Sequence, residues 1–574
     1  MIQEHLRRLA SLLTATALLV AAPGSALANG NENSKSSRST TVSVPTTTPI
    51  KNVVVIFQEN ISFDHYFATY PYATNPSTET PFTAKANTPR ADNLLSGGLL
   101  TSNPNSTQPF RMDPTMSVTC DQNHSYTPEQ SALDHGLMDQ FPQQTGTGNT
   151  ASSPCFDYGL GTGVVMGYFD GNTVTAYWNY AQNYAMSDNS HGTMFGPSTV
   201  GALNLIAGTT SLATLQPSAD GTAQPTTDKT CTPKAPATTC TGTADGNVSG
   251  GQTVGAAIGD PRPFYDDCVA TDPTTSDLYK KIRVSVTGKN VGDLLNEKGL
   301  TWGWFQGGFA PTGTSTSSAS YQEGLPVCGA NHAGLAGNDA VTTSGDYIPH
   351  HEPFQYFSQS NNQHHVRPSD SGLIGTSNDG ANHQYDLQDF WTVLSEDRLP
   401  TVTYLKAAAY QDGHPGYSDP LDEQNFVVDV VNALENSKYW PNLAIIIAYD
   451  DSDGWYDHAL GPIVNQSAVS DDTLAGPGNC GSGKTNTQGQ CGYGPRLPLL
   501  VISPYAKQNY IDHAAVDQSS ILRFIEDNWN LGRIGGNSSD VKAGTLNGLF
   551  DFTDSKRAPR LILDDSTGVV LQQF

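Results

Sequence analysis

Val53-Val54-Val55-Ile56-Phe57-Gln58-Glu59-Asn60 decides the fold of this chain when it is set beside Ala444-Ile445-Ile446-Ile447-Ala448-Tyr449-Asp450-Asp451, almost four hundred residues later. Each is a β-branched apolar run that ends in acidic or amide side chains. Runs that are apolar at consecutive positions, not at alternate ones, read as strands buried on both faces, as in parallel sheets. Open α/β sheets bind ligands beyond the carboxyl ends of their strands. Two strand ends that present carboxylates there make a site for a hard cation.

The surrounding pattern agrees. Phe426, Val427, Val430, Val431 and Leu434 recur at helical spacing just before the second run. Asp517 stands where it can cap a helix that buries Ile521, Phe524 and Ile525. Leu497 to Ile502 reads as a further buried strand, and Val291 to Lys298 followed by Leu300 to Phe305 reads as helix then strand. Such alternation predicts an α/β fold, a mostly parallel sheet flanked by helices, with long loop insertions.

At 574 residues, 37% hydrophobic, with 55 Gly and 36 Pro, the chain has the composition of a loop-rich globular protein. Its formal net charge of −26 argues against a nucleic-acid partner and against attraction to anionic lipid. Arg7-Arg8, the apolar stretch Leu12 to Ala22 and Ala26-Leu27-Ala28 read as a cleavable signal peptide over residues 1–28, too short to span a membrane. The arginine pair leaves the general and the twin-arginine export routes both open. The expected location is the periplasm or the exterior. Residues 29–50 read as a flexible leader, and 51–574 as one catalytic domain with a low-complexity insertion at about 209–259. Eight cysteines in an exported chain imply disulfides. Neighbour-to-neighbour pairing gives Cys120–Cys155, Cys231–Cys240, Cys268–Cys328 and Cys480–Cys491.

Phe195-Gly196-Pro197-Ser198-Thr199-Val200 looks like a turn feeding a helix, with Pro near the first helical position. Free N–H groups at a helix start attract phosphate, which makes Ser198 a candidate nucleophile; an ordinary capping serine is the alternative. Eight of the fourteen histidines lie between His332 and His458. Imidazole serves as metal ligand or as proton donor near neutral pH.

Glu59-Asn60-Ile61-Ser62-Phe63-Asp64-His65-Tyr66-Phe67 resembles the signature of the phosphoesterase family that contains bacterial phospholipases C and acid phosphatases. The resemblance continues in order through Met166 to Gly171, Gly196-Pro197-Ser198, Tyr347 to Phe354, Tyr449 to Gly454 and Gly492 to Pro498. Asn172 to Ala176 and Ile348 to His351 look especially like the secreted acid phosphatase branch that suppresses the respiratory burst of phagocytes. The resemblance implies an alkaline-phosphatase-like core, a divalent metal ion of unspecified identity and a covalent phospho-enzyme. Carried over by motif, Glu59, Asn60, Asp450, Asp451 and the Ser198 oxygen would bind the metal. Ser198 would be the nucleophile, with His124, His351 and His414 as active-site histidines; His350 is not separable from His351 at this stage.

Physical chemistry supports that set. A cation held by several carboxylates lowers a serine hydroxyl's pKa and organises phosphoryl oxygens. Histidine cations hold non-bridging oxygens and protonate the departing alkoxide, and that protonation requirement fits an acidic optimum. Many phospholipase C relatives carry Asp-Glu at the later motif and Thr as nucleophile, whereas this chain has Asp450-Asp451 and Ser198. The expectation is therefore hydrolysis of phosphate monoesters, with phospholipase C action on lipid head groups as the alternative. A catalytically silent binding role is disfavoured by the intact set of side chains.

Overall fold

A computed structural model describes residues 44–216, 248–249, 254–268, 283–315, 324–333, 345–482, 489–553 and 558–574. The signal-peptide segment, most of the leader, and Cys231 with Cys240 lie outside those residues. Among the described residues, no helix is long and apolar enough to cross a membrane.

Eight strands make the main sheet: β1 (Asn52–Gln58), β2 (Ala185–Ser187), β3 (Trp302–Gln306), β4 (Gln384–Asp386), β5 (Val402–Lys406), β6 (Leu443–Tyr449), β7 (Leu499–Ile502) and β8 (Tyr510–Asp512). Their order across the sheet is β4-β3-β5-β1-β6-β7-β2-β8. The two runs quoted first are neighbours at its centre. Val53 to Phe57 and Leu443 to Ile447 are fully buried, as central strands covered on both faces must be. Pairing is parallel from β4 through β6 and between β2 and β8. β7 alone runs against the rest, antiparallel to both β6 and β2. The sequence predicts this strand from Leu497, but the ladder starts at Leu499, since Pro498 has no N–H to offer it.

Helices flank the sheet in two packed sets. One contains α3 (Ser198–Ala207), α4 (Val291–Glu297) and α7 (Gln518–Trp529); the other contains α2 (Thr175–Asn183) and α6 (Pro420–Glu435). The expected cap at Asp517 is present, and Asp419 supplies a second that the sequence alone did not single out. Asp517 and Ser520 form a reciprocal capping box at the start of α7, and Asp419 accepts two N–H groups at the start of α6. α5 (Leu387–Ser395) starts directly from the end of β4 at Asp386. A short helix, α1 (Phe63–Phe67), follows the exit of β1.

Three of the expected disulfides are formed, Cys120–Cys155, Cys268–Cys328 and Cys480–Cys491. The ends of the 209–259 insertion are strands, not coil. Ser211–Gln216 pairs with Val254–Ala256 and with Arg283–Val286 in a separate small sheet. The last residues of the leader are also anchored, with the Thr47 N–H donating to the Asn528 carbonyl and Ile50 fully buried.

Candidate active site

Register alone brings the first acids together. β1 and β6 pair from Asn52 opposite Leu443 to Gln58 opposite Tyr449, so Glu59 and Asp450 leave the sheet side by side. Asn60 adopts a φ of 62°, the left-handed region that Asn tolerates. That turn lets the Asn60 N–H donate to Asp450 Oδ1 at 3.1 Å and its Nδ2 to Asp453 Oδ1 at 3.0 Å. Asn60 Oδ1 is buried and accepts no hydrogen bond. Lys406, the last residue of β5, ion-pairs with Glu59 and lies 3.4 Å from Asp450.

Ser198 is the first residue of α3, after Pro197. Gly196, at a φ of 116°, turns the chain into the helix and donates its N–H to Glu129 Oε2 at 2.9 Å. A Cβ at Gly201 would lie 2.1 Å from the Asp450 carbonyl oxygen, so only glycine lets α3 sit directly against the end of β6. Gln518 fixes that end from the other side, its Nε2 donating to the Tyr449 and Asp450 carbonyls at 3.2 and 2.7 Å. The result places Ser198 Oγ 3.0 Å from Glu59 Oε2 and 3.3 Å from Asp451 Oδ2.

The helix start is not the open anion cradle that the sequence suggests. The Thr199 N–H already donates to Asp260 Oδ1 at 2.9 Å, and that of Val200 to the Pro197 carbonyl at 2.8 Å. Positive charge comes instead from side chains. His124 Nδ1 lies 3.1 Å from Asp453 Oδ1, and its ring centroid is 5.8 Å from that of His414. His414 stacks on Tyr417 at 4.3 Å. His351 is buried, with Nδ1 3.1 Å from Glu59 Oε1; His350 is half-buried beside it. The two adjacent histidines are thus distinguished by burial and by the Glu59 contact.

Electrostatics marks the cluster as incomplete. Burial pushes the Glu59 carboxyl well above the usual range, and the neighbouring Asp450 pushes it further. Burial and Asp450 also raise Asp451, against the pull of His124. Burial works against the Asp450 anion too, but Lys406 and the N–H groups of Asn60 and Asp451 hold it below the ordinary value. His124 is raised despite burial, by Asp451 and Asp453, whereas burial lowers His414. Among the described residues, Glu59, Asp412, Asp450 and Asp451 thus gather around Lys406, His124 and His351 as their basic neighbours. An oxygen-rich, negatively charged pocket that includes an unpaired amide oxygen and a hydroxyl fits a divalent cation. Two nearby groups also gather ligand atoms within 4.8 Å, Asp121-His124-His414-Asp453 and Glu59-His351-Asp412.

All the predicted site residues converge here. Lys406 is the main residue the sequence does not reveal, although it ends a β-branched and aromatic run, Val402-Thr403-Tyr404-Leu405, as Glu59 ends another. Asp412, Glu129 and Gln518 support the site without a local motif of their own.

The profile of the Phosphoesterase family matches residues 50–532, which include every residue of this cluster. The chain belongs to that family. Among curated proteins it is 30% identical over 181 residues to a non-hemolytic phospholipase C of Pseudomonas aeruginosa, covering 29% of this chain and 26% of that one. It is 28% identical over 270 residues to a non-hemolytic phospholipase C of Burkholderia pseudomallei, covering 46% and 37%. The alignments thus span about a quarter to a third of these relatives' length. Among solved structures, a protein of the alkaline phosphatase superfamily from Vibrio parahaemolyticus aligns over 82% of this chain and 81% of its own, with 10% identity and a TM-score of 0.27. Similarity at that level identifies no relationship by itself.

Proposed function

We propose that this phosphoesterase-family member is an exported, metal-dependent acid phosphatase that hydrolyses phosphate monoesters through a phosphoserine at Ser198. The observation that carries this reading is the Ser198 hydroxyl, 3.0 and 3.3 Å from buried carboxylates of two separate strand ends. Glu59, Asn60, Asp450, Asp451 and the Ser198 oxygen would hold a divalent ion, which when bound supplies charge neutralisation and eases deprotonation of the hydroxyl.

The remaining steps belong to the chain's own groups. Ser198 passes its proton to the neighbouring carboxylate, and its oxygen attacks phosphorus in line with the leaving alkoxide. Lys406 balances the acids that would otherwise repel a phosphate dianion. His124, held in its cationic form by Asp451 and Asp453, donates a proton to the alkoxide or a hydrogen bond to a non-bridging oxygen. His414, kept neutral by burial, accepts a proton from the water that attacks phospho-Ser198. That attack releases inorganic phosphate and restores the serine hydroxyl. Three disulfides support folding in an oxidising compartment.

The alternative, a phospholipase C that releases a phosphorylated head group, is favoured by the names of the aligned relatives. Rates on p-nitrophenyl phosphate and p-nitrophenyl phosphorylcholine separate the two. Faster monoester turnover, with acid-quenched protein carrying phosphate on the Ser198 peptide, is the expected result. Preference for the diester would reverse the ranking, and inactivity on both would remove the hydrolase reading.

A further inference from the structure

Glu129 is a buried acid to which the chemistry above gives no step. It is 1% exposed and lies on the short helix Tyr126–Ala132, which begins two residues after His124. Both of its oxygens are engaged, and their partners flank the reacting groups. Oε2 accepts the Gly196 N–H at 2.9 Å, two residues before Ser198. Oε1 accepts the Ser452 hydroxyl at 2.8 Å, directly after Asp451. One side chain therefore joins three segments, those of the proposed nucleophile, a proposed metal ligand and the proposed proton donor.

The support that presents Glu129 is anchored independently of the site. The Tyr126 hydroxyl donates to Asp472 Oδ1 at 2.6 Å and accepts the Cys491 N–H at 2.9 Å. Gln130 Oε1 accepts the Thr473 and Leu474 N–H groups at 2.9 and 3.1 Å. The bridged turn is itself tight. Ser452 Oγ accepts the Gly454 N–H at 3.0 Å, and a Cβ on Gly454 would lie 2.9 Å from the carbonyl oxygen of Asn123, the residue before His124. Charge alone argues for a neutral side chain here, since Glu129 adds negative charge beside Asp451 in a pocket already rich in acids. What a carboxylate offers instead is two coplanar acceptors, matched to two buried donors from segments distant in sequence. Outer partners of this kind fix the orientation of the groups that do the chemistry.

We propose that Glu129 is a positioning residue that locks the turn before Ser198 to the turn after Asp451, and so holds the Ser198 hydroxyl against the Glu59 and Asp451 carboxylates. The inference rests on the phosphoesterase reading above and adds to it a residue that acts through Gly196 and Ser452 without touching substrate.

The test measures kcat, KM and inhibition by orthovanadate for the metal-loaded protein, under conditions where circular dichroism shows each variant folded. The substrate is whichever of p-nitrophenyl phosphate and p-nitrophenyl phosphorylcholine the wild type turns over faster. Orthovanadate becomes five-coordinate when it bonds a serine oxygen, so its Ki reads where Ser198 Oγ stands. Glu129→Ala is expected to lower kcat on the order of 10- to 100-fold, with KM within about threefold of wild type and orthovanadate weakened in step with kcat. Glu129→Gln keeps an acceptor for the Gly196 N–H and sets an N–H against Ser452 Oγ, so kcat should return to within about fivefold of wild type. Ser452→Ala opens one arm of the bridge and should fall between the two. Unchanged kcat and orthovanadate affinity in Glu129→Ala would overturn the positioning role, as would a Glu129→Gln variant as slow as Glu129→Ala. Should Glu129→Ala fail to fold, Ser452→Ala decides: reduced kcat at constant KM supports the bridge, and unchanged kcat overturns it. A wild type active on an ester but indifferent to these changes removes this inference alone. Wild-type inactivity on both esters would remove the phosphoesterase reading and this inference with it.

Discussion

Glu59 and Asp64 leave the same turn, and Asp450 and Asp457 the same loop, yet the two pairs live in opposite surroundings. Asp64 and Asp457 are matched charge for charge. His458 Nδ1 lies 2.6 Å from Asp64, and Arg496 lies 3.4 Å from Asp64 and 3.1 Å from Asp457. Arg496 also donates to the Asp92 and Asp188 carbonyls and sits over the Phe63 ring at 4.4 Å. Burial works against the Asp64 anion, but His458 and Arg496 hold it below its ordinary value. In that cluster burial raises Asp457 only to about 6 against the pull of Arg496, and Asp64 Oδ1, which accepts no hydrogen bond, has Arg496 3.4 Å away. At the strand ends, Glu59 and Asp451 are pushed well above their ordinary values and Asn60 Oδ1 is left without a donor. A balanced buried network fixes geometry; an unbalanced one waits for a ligand. The first cluster clamps the two motif segments together, and the second uses the position so defined.

The largest separation between them comes from Ser198→Ala. Its turnover is expected to fall by at least about 10³-fold, while unfolding free energy stays within about 1 kcal/mol of wild type. Steady-state rates beside urea denaturation decide this, and retained activity would place the nucleophile elsewhere. Arg496→Leu should behave in the reverse sense. Leaving Asp64 and Asp457 buried without their partner should cost about 3–5 kcal/mol in urea unfolding, and a shift under 1 kcal/mol would show that the clamp is not structural. Gly201→Ala joins the two effects, since its Cβ must push α3 away from Asp450. A loss of about 1–3 kcal/mol and a drop in kcat on the order of 10²-fold are expected; unchanged kcat would mean that Ser198 needs no such close approach. The smallest effect is a pH dependence. Burial disfavours the His458 cation, but Asp64 and Asp92 raise its pKa to about 10 in the fold, above the ordinary 6.5. The stability this supplies is full below pH 6.5 and is lost as pH rises from there through 10. The gap in unfolding free energy between wild type and His458→Gln should therefore narrow steadily between pH 6.5 and 10; a gap that is constant or grows would contradict the pairing.

This contrast also shows what sequence reading can reach. The apolar runs, the helix caps and the acids at the strand ends were legible because local chemistry specifies each of them. Burial on both faces forces the consecutive apolar pattern of β1 and β6, and the acids follow directly. The direction of β7 was not legible, since a run buried on both faces reads alike either way. Nor was Lys406: one lysine after a strand looks like an ordinary polar exit until register sets it against Glu59. The engaged N–H groups at the start of α3 likewise depend on Asp260, which is distant in sequence. Arg496 was visible only as part of a motif. Its partners come from four separate segments, and the reason for an arginine there appears only when they meet.

The account stands on the claim that the unbalanced acids at the ends of β1 and β6 hold a divalent cation beside Ser198. Anomalous-scattering crystallography of protein loaded with a transition metal tests it most directly. The predicted result is a principal peak among the oxygens of Glu59, Asn60, Asp450 and Asp451, next to Ser198 Oγ. A principal peak within the Asp121-His124-His414-Asp453 group, or no peak at either place, would contradict it.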